Sequence, residues 1–198
     1  VRVAFILEGT RGDTQPYVAL SLRLQARGYN VKIFTHTDHV KLCETFNIPA
    51  EGVLYNISGA MMADPEFRDA CAKGDTLNLL INLDKVKKKN LSTDMKRLWE
   101  GLESYQPTVL ITTGVAWLRS VPYSIHKTLP LLFINLQVVL PVSDKAPLGL
   151  PNLPFGTNKT WFKLLSSGAA KDMVKIKDII RKVLDVNMDG KFERPIME

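Results

Sequence analysis

The chain has 198 residues, of which 45% are hydrophobic and 23% charged, and its net charge is +6. This ordinary globular composition suits one α/β domain over residues 1–198, because no Gly/Ser-rich linker or internal repeat divides the chain. No apolar run approaches the roughly 20 residues that span a bilayer, and two cysteines are too few for a disulfide framework, which favours a reducing, cytoplasmic compartment.

The chain begins with a strand followed by a helix. Residues 2–7 form an apolar run that predicts a buried strand. The next segment is rich in good helix formers and ends at Gly28, a suitable helix stop. Asp13 or Thr14 is predicted to cap this helix, and Pro16 fits its first turn.

The alternation of strand and helix patterns continues along the chain. The later predicted elements are, in order, a strand at 30–36, a short helix at about 38–46, a strand at 52–57, helical segments over about 61–105, a strand at 107–114, a helix at 115–128 that Pro122 would kink or delay, a strand at 129–136 and an amphipathic helix over about 160–186. The β-α-β-α-β opening predicts a parallel sheet with helices on both faces. The proline-rich segment 141–156 is long for a connector, so it is predicted to be an irregular functional loop.

The turn after the first strand, GTRGDTQP at residues 9–16, lies where doubly wound sheets bind ligands. It lacks the third glycine of a dinucleotide fingerprint, and Asp13 would stand where a pyrophosphate should sit. Asp38, after the second strand, is nevertheless the kind of residue that holds a ribose. A nicotinamide cofactor therefore stays an open alternative at this stage.

The octapeptide resembles the G-[ST]-R-G-D-x-x-P turn of family 28 glycosyltransferases, which include sterol glucosyltransferases and enzymes that glycosylate glycopeptide antibiotics. The similarity continues in TVLITTGVA and IHKTLPLLFINLQ. It implies a Rossmann-like doubly wound sheet that forms one lobe of a two-lobed GT-B glycosyltransferase. Residues 1–198 would be the N-terminal, acceptor-binding domain, and the family's C-terminal donor-binding lobe has no counterpart in this sequence.

The resemblance also assigns roles to individual residues. It makes Asp13 the general base that takes the proton of the acceptor hydroxyl, and it sets Thr10, Arg11 and Gly12 on the donor side. The expected lining of an apolar acceptor pocket consists of His36, Gln137, Pro141, Leu148, Leu153, Trp161 and Phe162. Two simpler interpretations stay open, namely that Asp13 only caps the helix and pairs with Arg11, and that the pocket residues are core. Glu8 is unusual for the family and bears on the electrostatics of the donor side.

No metal or further cofactor is predicted, because His36, His39 and Cys43 offer only three ligands; the nucleotide sugar, UDP-glucose, would be a substrate. The basic cluster of Lys85–Lys89 with Lys96 and Arg97 fits either a solvated helix face or peripheral contact with an anionic membrane. It contains no interleaved aromatic residues, so nucleic acid is not an expected partner.

The resemblance as a whole implies the acceptor lobe of an inverting, UDP-sugar-dependent glycosyltransferase that acts on a sterol, a lipid or a similar apolar alcohol. Because no donor-binding half follows, this lobe alone is expected to be inactive. Three arrangements are open: one lobe of a longer enzyme, one subunit of a split enzyme, or a non-catalytic module that binds a lipid or a protein. The intact turn favours the first, with the donor lobe in the same polypeptide.

Overall fold

A computed structural model describes residues 1–136 and 152–189, with backbone alone at residues 76–77, 162 and 164–170. The strands are β1 (Arg2–Ile6), β2 (Asn30–His36), β3 (Ala50–Leu54), β4 (Val109–Thr112) and β5 (Leu131–Phe133). The helices are α1 (Arg11–Ala26), α2 (Val40–Glu44), α3 (Ile57–Ala63), α4 (Pro65–Lys73), α5 (Thr76–Tyr105), α6 (Trp117–Lys127) and α7 (Lys159–Leu184), with 3-10 turns at Thr37–His39 and Pro154–Gly156. The predicted alternation of strands and helices is confirmed.

The five strands form one parallel sheet in the order β3-β2-β1-β4-β5. β1 is central, since Val3 pairs with Val31 of β2 on one side and with Val109 of β4 on the other. The chain progresses outward in opposite directions from β1 and from β4, so the doubly wound prediction is confirmed. The carboxyl ends of β1 and β4 therefore flank the switch point at which such sheets hold ligands.

Helices cover both faces of this sheet. Ala4 and Ile6 of β1 join an apolar cluster with buried residues of α5, α6 and α7. Val3 and Phe5 join a second cluster with residues of α1 and α2. Because successive side chains of a strand point to opposite faces, this alternation gives β1 a buried environment on both sides.

The start of α1 differs from the prediction. The N-cap is Thr10 and the helix begins at Arg11, so neither Asp13 nor Thr14 occupies the N-cap position, although the Asp13 side chain still caps the helix. The reason is that the Asp13 carboxylate, inside the first turn, accepts a hydrogen bond from the backbone N–H of Thr10 at 2.7 Å, as in a capping box. Pro16 consequently lies inside the helix, beyond its first turn.

Two other element boundaries also differ. The predicted third strand at 52–57 ends at Leu54, because the Asn56 side chain accepts the N–H of Gly59 at 2.6 Å and starts α3. The predicted fifth strand at 129–136 is limited to β5. Segment 141–156 was predicted to be irregular throughout, but its described end contains a 3-10 turn.

The later helices follow their patterns closely. α6 begins at Trp117 and continues through Pro122, so the proline does not delay it. α7 packs Met173, Ile176 and Ile180 into the cluster beneath the sheet, which confirms its amphipathic pattern. In the described part of the chain, none of the helices combines the length and the apolarity that crossing a bilayer requires.

Candidate functional site

The Asp13 carboxylate is anchored through one oxygen. Its Oδ2 atom accepts hydrogen bonds from the N–H of Thr10 at 2.7 Å and from the Thr10 hydroxyl at 3.1 Å. Within residues 1–136 and 152–189, the other oxygen has no hydrogen-bond partner. Asp13 is therefore a helix cap, as one interpretation of the sequence holds, and it also keeps one oxygen available.

The residues assigned to the donor side lie exposed at the N-terminus of α1. Thr10, Arg11 and Gly12 are all solvent-accessible. The Arg11 Nε–H donates to the Gln15 side chain at 3.3 Å, and Arg11 makes no ion pair with any residue that the structure describes. The suggested Arg11–Asp13 pair is therefore not formed, and the guanidinium remains accessible to an anion.

Gly9 brings the backbone into close contact with Asp13. Its φ is +130°, a region that favours glycine. A Cβ atom at this position would lie only 2.4 Å from Asp13 Oδ2. The N–H of Gly9 donates to Nε2 of His36 at 3.2 Å. Glycine is thus required here both by the backbone angle and by the carboxylate packed against it.

His36 supports the turn from behind. It is fully buried, and its Nδ1 lies 2.7 Å from the Tyr55 carbonyl. Because Nε2 accepts from Gly9, we assign the proton to Nδ1, which donates to Tyr55. Burial lowers the pKa of His36, although the Tyr55 carbonyl and Glu8 act in the opposite direction. His36 was expected in the acceptor pocket, but the structure places it in the support of the turn.

His39 and Cys43 are also buried structural residues. Nδ1 of His39 lies 3.1 Å from the Thr14 hydroxyl, and its ring centroid is 5.7 Å from that of His36. Burial raises the pKa of the Cys43 thiol to about 11, so it stays protonated at neutral pH. Across the described ranges, no three His, Cys, Asp or Glu residues converge as metal ligands.

Asp38, the candidate ribose ligand, caps α3 instead. Its two carboxylate oxygens accept the N–H groups of Ile57 at 3.2 Å and Ser58 at 3.1 Å. A carboxylate committed to a helix N-terminus is poorly placed to bind a ribose as well. The geometry therefore weighs against a dinucleotide, in agreement with the missing third glycine.

A cavity of about 190 Å³ opens at the switch point beside Asp13. Two hydrogen bonds join its walls: Asn135 accepts the N–H of Gly114 at 2.6 Å, and the Tyr17 hydroxyl donates to the Ile134 carbonyl at 2.5 Å. The lining comprises Asp13, Tyr17, Thr113, Gly114, Val115, Asn135 and Leu136. Sequence reasoning identified only Asp13 among these; the Thr-Thr-Gly that ends the β4 segment was the available signal for two more.

The other expected pocket residues are not in this cavity. Leu153 and Trp161 are half-buried and do not line it. Gln137, Pro141 and Leu148 lie outside the described residues, as does the side chain of Phe162. Their role in an acceptor pocket remains an expectation.

The basic cluster on α5 is largely neutralised within the molecule. Lys85 pairs with Glu66 at 3.1 Å, and Lys88 pairs with Asp84. Lys87 is 24% exposed and pairs with Glu8 at 3.3 Å. These contacts favour a solvated helix face over a free basic surface.

The known proteins to which this chain is similar are glycosyltransferases. Residues 3–126 match the model of the glycosyltransferase family 28 N-terminal domain. A sterol 3-beta-glucosyltransferase of Kluyveromyces lactis is 27% identical over 135 residues, which cover 62% of this chain and 10% of that protein. The sterol 3-beta-glucosyltransferase UGT80B1 of Arabidopsis thaliana is 42% identical over 38 residues, which cover 19% of this chain and 6% of that protein.

Among solved structures, the glycosyltransferase SsfS6 of Streptomyces sp. SF2575, complexed with thymidine diphosphate, matches with a TM-score of 0.58 and 13% identity. The match covers 89% of this chain and 44% of that one, and at this identity it supports the fold alone. The chain thus spans a tenth or less of the curated relatives and under half of the solved one. Because the family model matches more than half of the chain, and the turn that carries the resemblance lies within the match, the chain belongs to glycosyltransferase family 28.

Proposed function

We propose that this chain is the acceptor-binding lobe of an inverting glycosyltransferase that transfers glucose from UDP-glucose to a sterol, a lipid or a similar apolar alcohol. The observation that carries the proposal is the position of Asp13, which lines the switch-point cavity with one carboxylate oxygen unengaged by described residues. The names of the two curated relatives, both sterol 3-beta-glucosyltransferases, support a sterol as the acceptor.

The chemistry needs a proton acceptor beside the reacting hydroxyl. The alcohol oxygen attacks the anomeric carbon from the side opposite the nucleoside diphosphate, and its proton passes to the unengaged oxygen of Asp13. The bond between that carbon and the diphosphate oxygen breaks, and its electron pair leaves with the diphosphate, so the configuration inverts. A positioned base typically accelerates such a step by about 10²–10⁴-fold.

The donor side of the reaction needs positive charge. Arg11 is exposed at the start of α1 and has no ion-pair partner among the described residues, so its planar guanidinium can bind diphosphate oxygens through two parallel hydrogen bonds. The family resemblance assigns most of the donor to a second lobe, in the same polypeptide or in a partner subunit. Arg11 would then contact the donor from across the cleft.

The cavity also offers the apolar surface that such an acceptor requires. The ring of Tyr17 forms one wall, and Val115 and Leu136, each about half exposed, line the cavity from the loops after β4 and β5. A mostly apolar lining with a few polar groups is typical of small-molecule sites. An apolar alcohol that places its hydroxyl near Asp13 fits this distribution.

Asp13→Asn in the full-length protein is the test. Asparagine retains a carbonyl oxygen that can accept from the Thr10 N–H, so the helix cap is kept while the base is lost. We expect kcat with UDP-glucose and a sterol to fall by about 10²–10⁴-fold, with little change in melting temperature. Asp38→Asn, which alters a capping carboxylate outside the cavity, is the control. Near-normal turnover in Asp13→Asn would refute the assignment of the base.

The non-catalytic alternative gives a different pattern. A binding module would retain sterol affinity in this chain, measured by equilibrium binding of a labelled sterol, while the full-length protein and every tested partner lacked transfer. A split enzyme would show transfer only when a separate donor-binding subunit is added. Transfer by one full-length polypeptide would exclude both.

A further inference from the structure

Glu8, two residues after the end of β1, is buried in contact with a cation of another element. Its side chain is 4% exposed, and the fully buried Arg119 of α6 donates from Nε to Glu8 Oε2 at 2.9 Å. Burial opposes the charge on Glu8, but Arg119 and Lys87 outweigh it and lower the pKa of Glu8 to about 2. Glu8 is therefore ionised at neutral pH immediately before the turn that carries Asp13.

Lys87 of α5 joins the two loops that border the cavity. Its Nζ lies 3.3 Å from Glu8 Oε1 and donates to the carbonyl of Val115 at 3.4 Å. Glu8 precedes the turn after β1, and Val115 belongs to the loop after β4 and lines the cavity. A single ammonium group thus connects both sides of the switch point to the longest helix of the described chain.

Asp94 completes an alternating series of charges. It lies about two turns beyond Lys87 on α5, and its Oδ2 is 3.3 Å from Arg119 Nη2. Burial raises the pKa of Asp94 to about 6, although Arg119 opposes the shift. We call Lys87, Glu8, Arg119 and Asp94 the ionic cluster. It links the segment that follows β1 to α5 and α6 through side chains of which three are at most 4% exposed.

Stability alone does not account for such a cluster. Removing charges from water costs several kcal/mol per ion, and apolar residues of similar volume often replace a buried pair without loss of stability. What charged contacts provide is a fixed distance and direction between the groups that they join. In this chain those groups are the two loops of the cavity and the helix beneath them.

We propose that the ionic cluster is a positioning device for the cleft, in which Lys87 holds the turn after β1 and the loop after β4 at a set separation. Lys87 is a positioning residue that does not touch the substrate. The effect on catalysis rests on the proposed function, whereas the effect on loop geometry does not.

Lys87→Met separates this role from a general contribution of the helix. Lys89→Met is the matched control, because Lys89 is on the same helix, is exposed and has no ion pair with a described residue. Hydrogen exchange of the protein is followed by mass spectrometry at residues 8–14 and 113–116. We expect Lys87→Met to accelerate exchange in both segments roughly tenfold relative to the control, with α7 unchanged. Lys87→Arg, which keeps the charge, should restore protection.

Three results would overturn the proposal: unchanged exchange in both segments, acceleration spread over the whole chain, or failure of Lys87→Arg to restore protection. In the full-length protein we expect Lys87→Met to raise KM for the acceptor more than it lowers kcat. Local loosening of the loops in a protein that shows no glycosyl transfer would support positioning and reject the proposed function. The two ideas can therefore fail separately.

Discussion

Replacing Gly9 with alanine would force the Asp13 carboxylate to move. The new Cβ would lie 2.4 Å from Asp13 Oδ2 and 2.6 Å from its Cγ, well inside van der Waals contact. A non-glycine residue in this backbone region costs on the order of 1–3 kcal/mol, and loss of a helix cap costs a further ~0.5–2 kcal/mol. We therefore expect Gly9→Ala to lower the free energy of unfolding by about 2–5 kcal/mol.

Gly28→Ala is the matched control for this prediction. Gly28 also has a positive φ, +82°, but no heavy atom lies within 4 Å of a Cβ built there. Its alanine variant should lose about 1–2 kcal/mol and keep the geometry of Asp13. Urea unfolding measures both losses, and turnover per folded molecule should fall about 10²-fold or more for Gly9→Ala alone. Equal stability losses together with equal turnover would refute the packing of Gly9 against Asp13.

Two further predictions concern pH. Arg119 and Lys87 overcome burial and lower the pKa of Glu8 from 4.5 to about 2. The charge of Glu8 therefore stabilises the fold above pH 4.5, and this contribution is lost as the pH falls towards 2. Over that interval the free energy of unfolding, measured with urea, should decrease by about 3 kcal/mol more in the wild type than in Glu8→Gln. Burial lowers the pKa of His36 below 6.5, so its neutral form stabilises the fold above pH 6.5 and this contribution declines on acidification. His36→Gln should flatten that decline, and an unchanged slope would contradict the lowered pKa of His36.

The sheet could be predicted because its signals are local. Apolar runs separated by helix patterns can be recognised in short windows of sequence, and the parallel orientation of the strands follows from the alternation of strands and helices. The boundaries depended on single side chains whose partners were not evident. β3 ends at Leu54, three residues before the predicted strand end, because Asn56 starts α3, and Asp13 caps α1 from inside its first turn instead of from its end.

The candidate site was only partly predictable for the opposite reason. Asp13 stands in a recognisable turn, but the rest of the cavity comes from loops far along the chain. The Tyr17 hydroxyl bonds to Ile134, 117 residues away, and Glu8 pairs with Arg119, 111 residues away. His36 was predicted to be a site residue and does lie near the turn, but only the three-dimensional contacts show that both of its ring nitrogens form hydrogen bonds with backbone groups. Contacts between residues so far apart in the chain cannot be inferred from residue types and their spacing.

On the family resemblance Glu8 is a less usual residue before the turn, and in the sequence it was expected to affect the electrostatics of the proposed donor side. In the structure its two oxygens lie 2.9 Å from Arg119 and 3.3 Å from Lys87, so nearby positive charges offset its field. The charges that the turn presents to the cavity are then those of the exposed Arg11 and of Asp13, which lines the cavity and is partly buried. In the proposed transfer, the positive charge of Arg11 would bind the leaving diphosphate, and the carboxylate of Asp13 would take the proton of the acceptor hydroxyl. Under the proposed function, Glu8 thus helps to hold the turn in place through Arg119 and Lys87, and the chemistry would be left to Arg11 and Asp13.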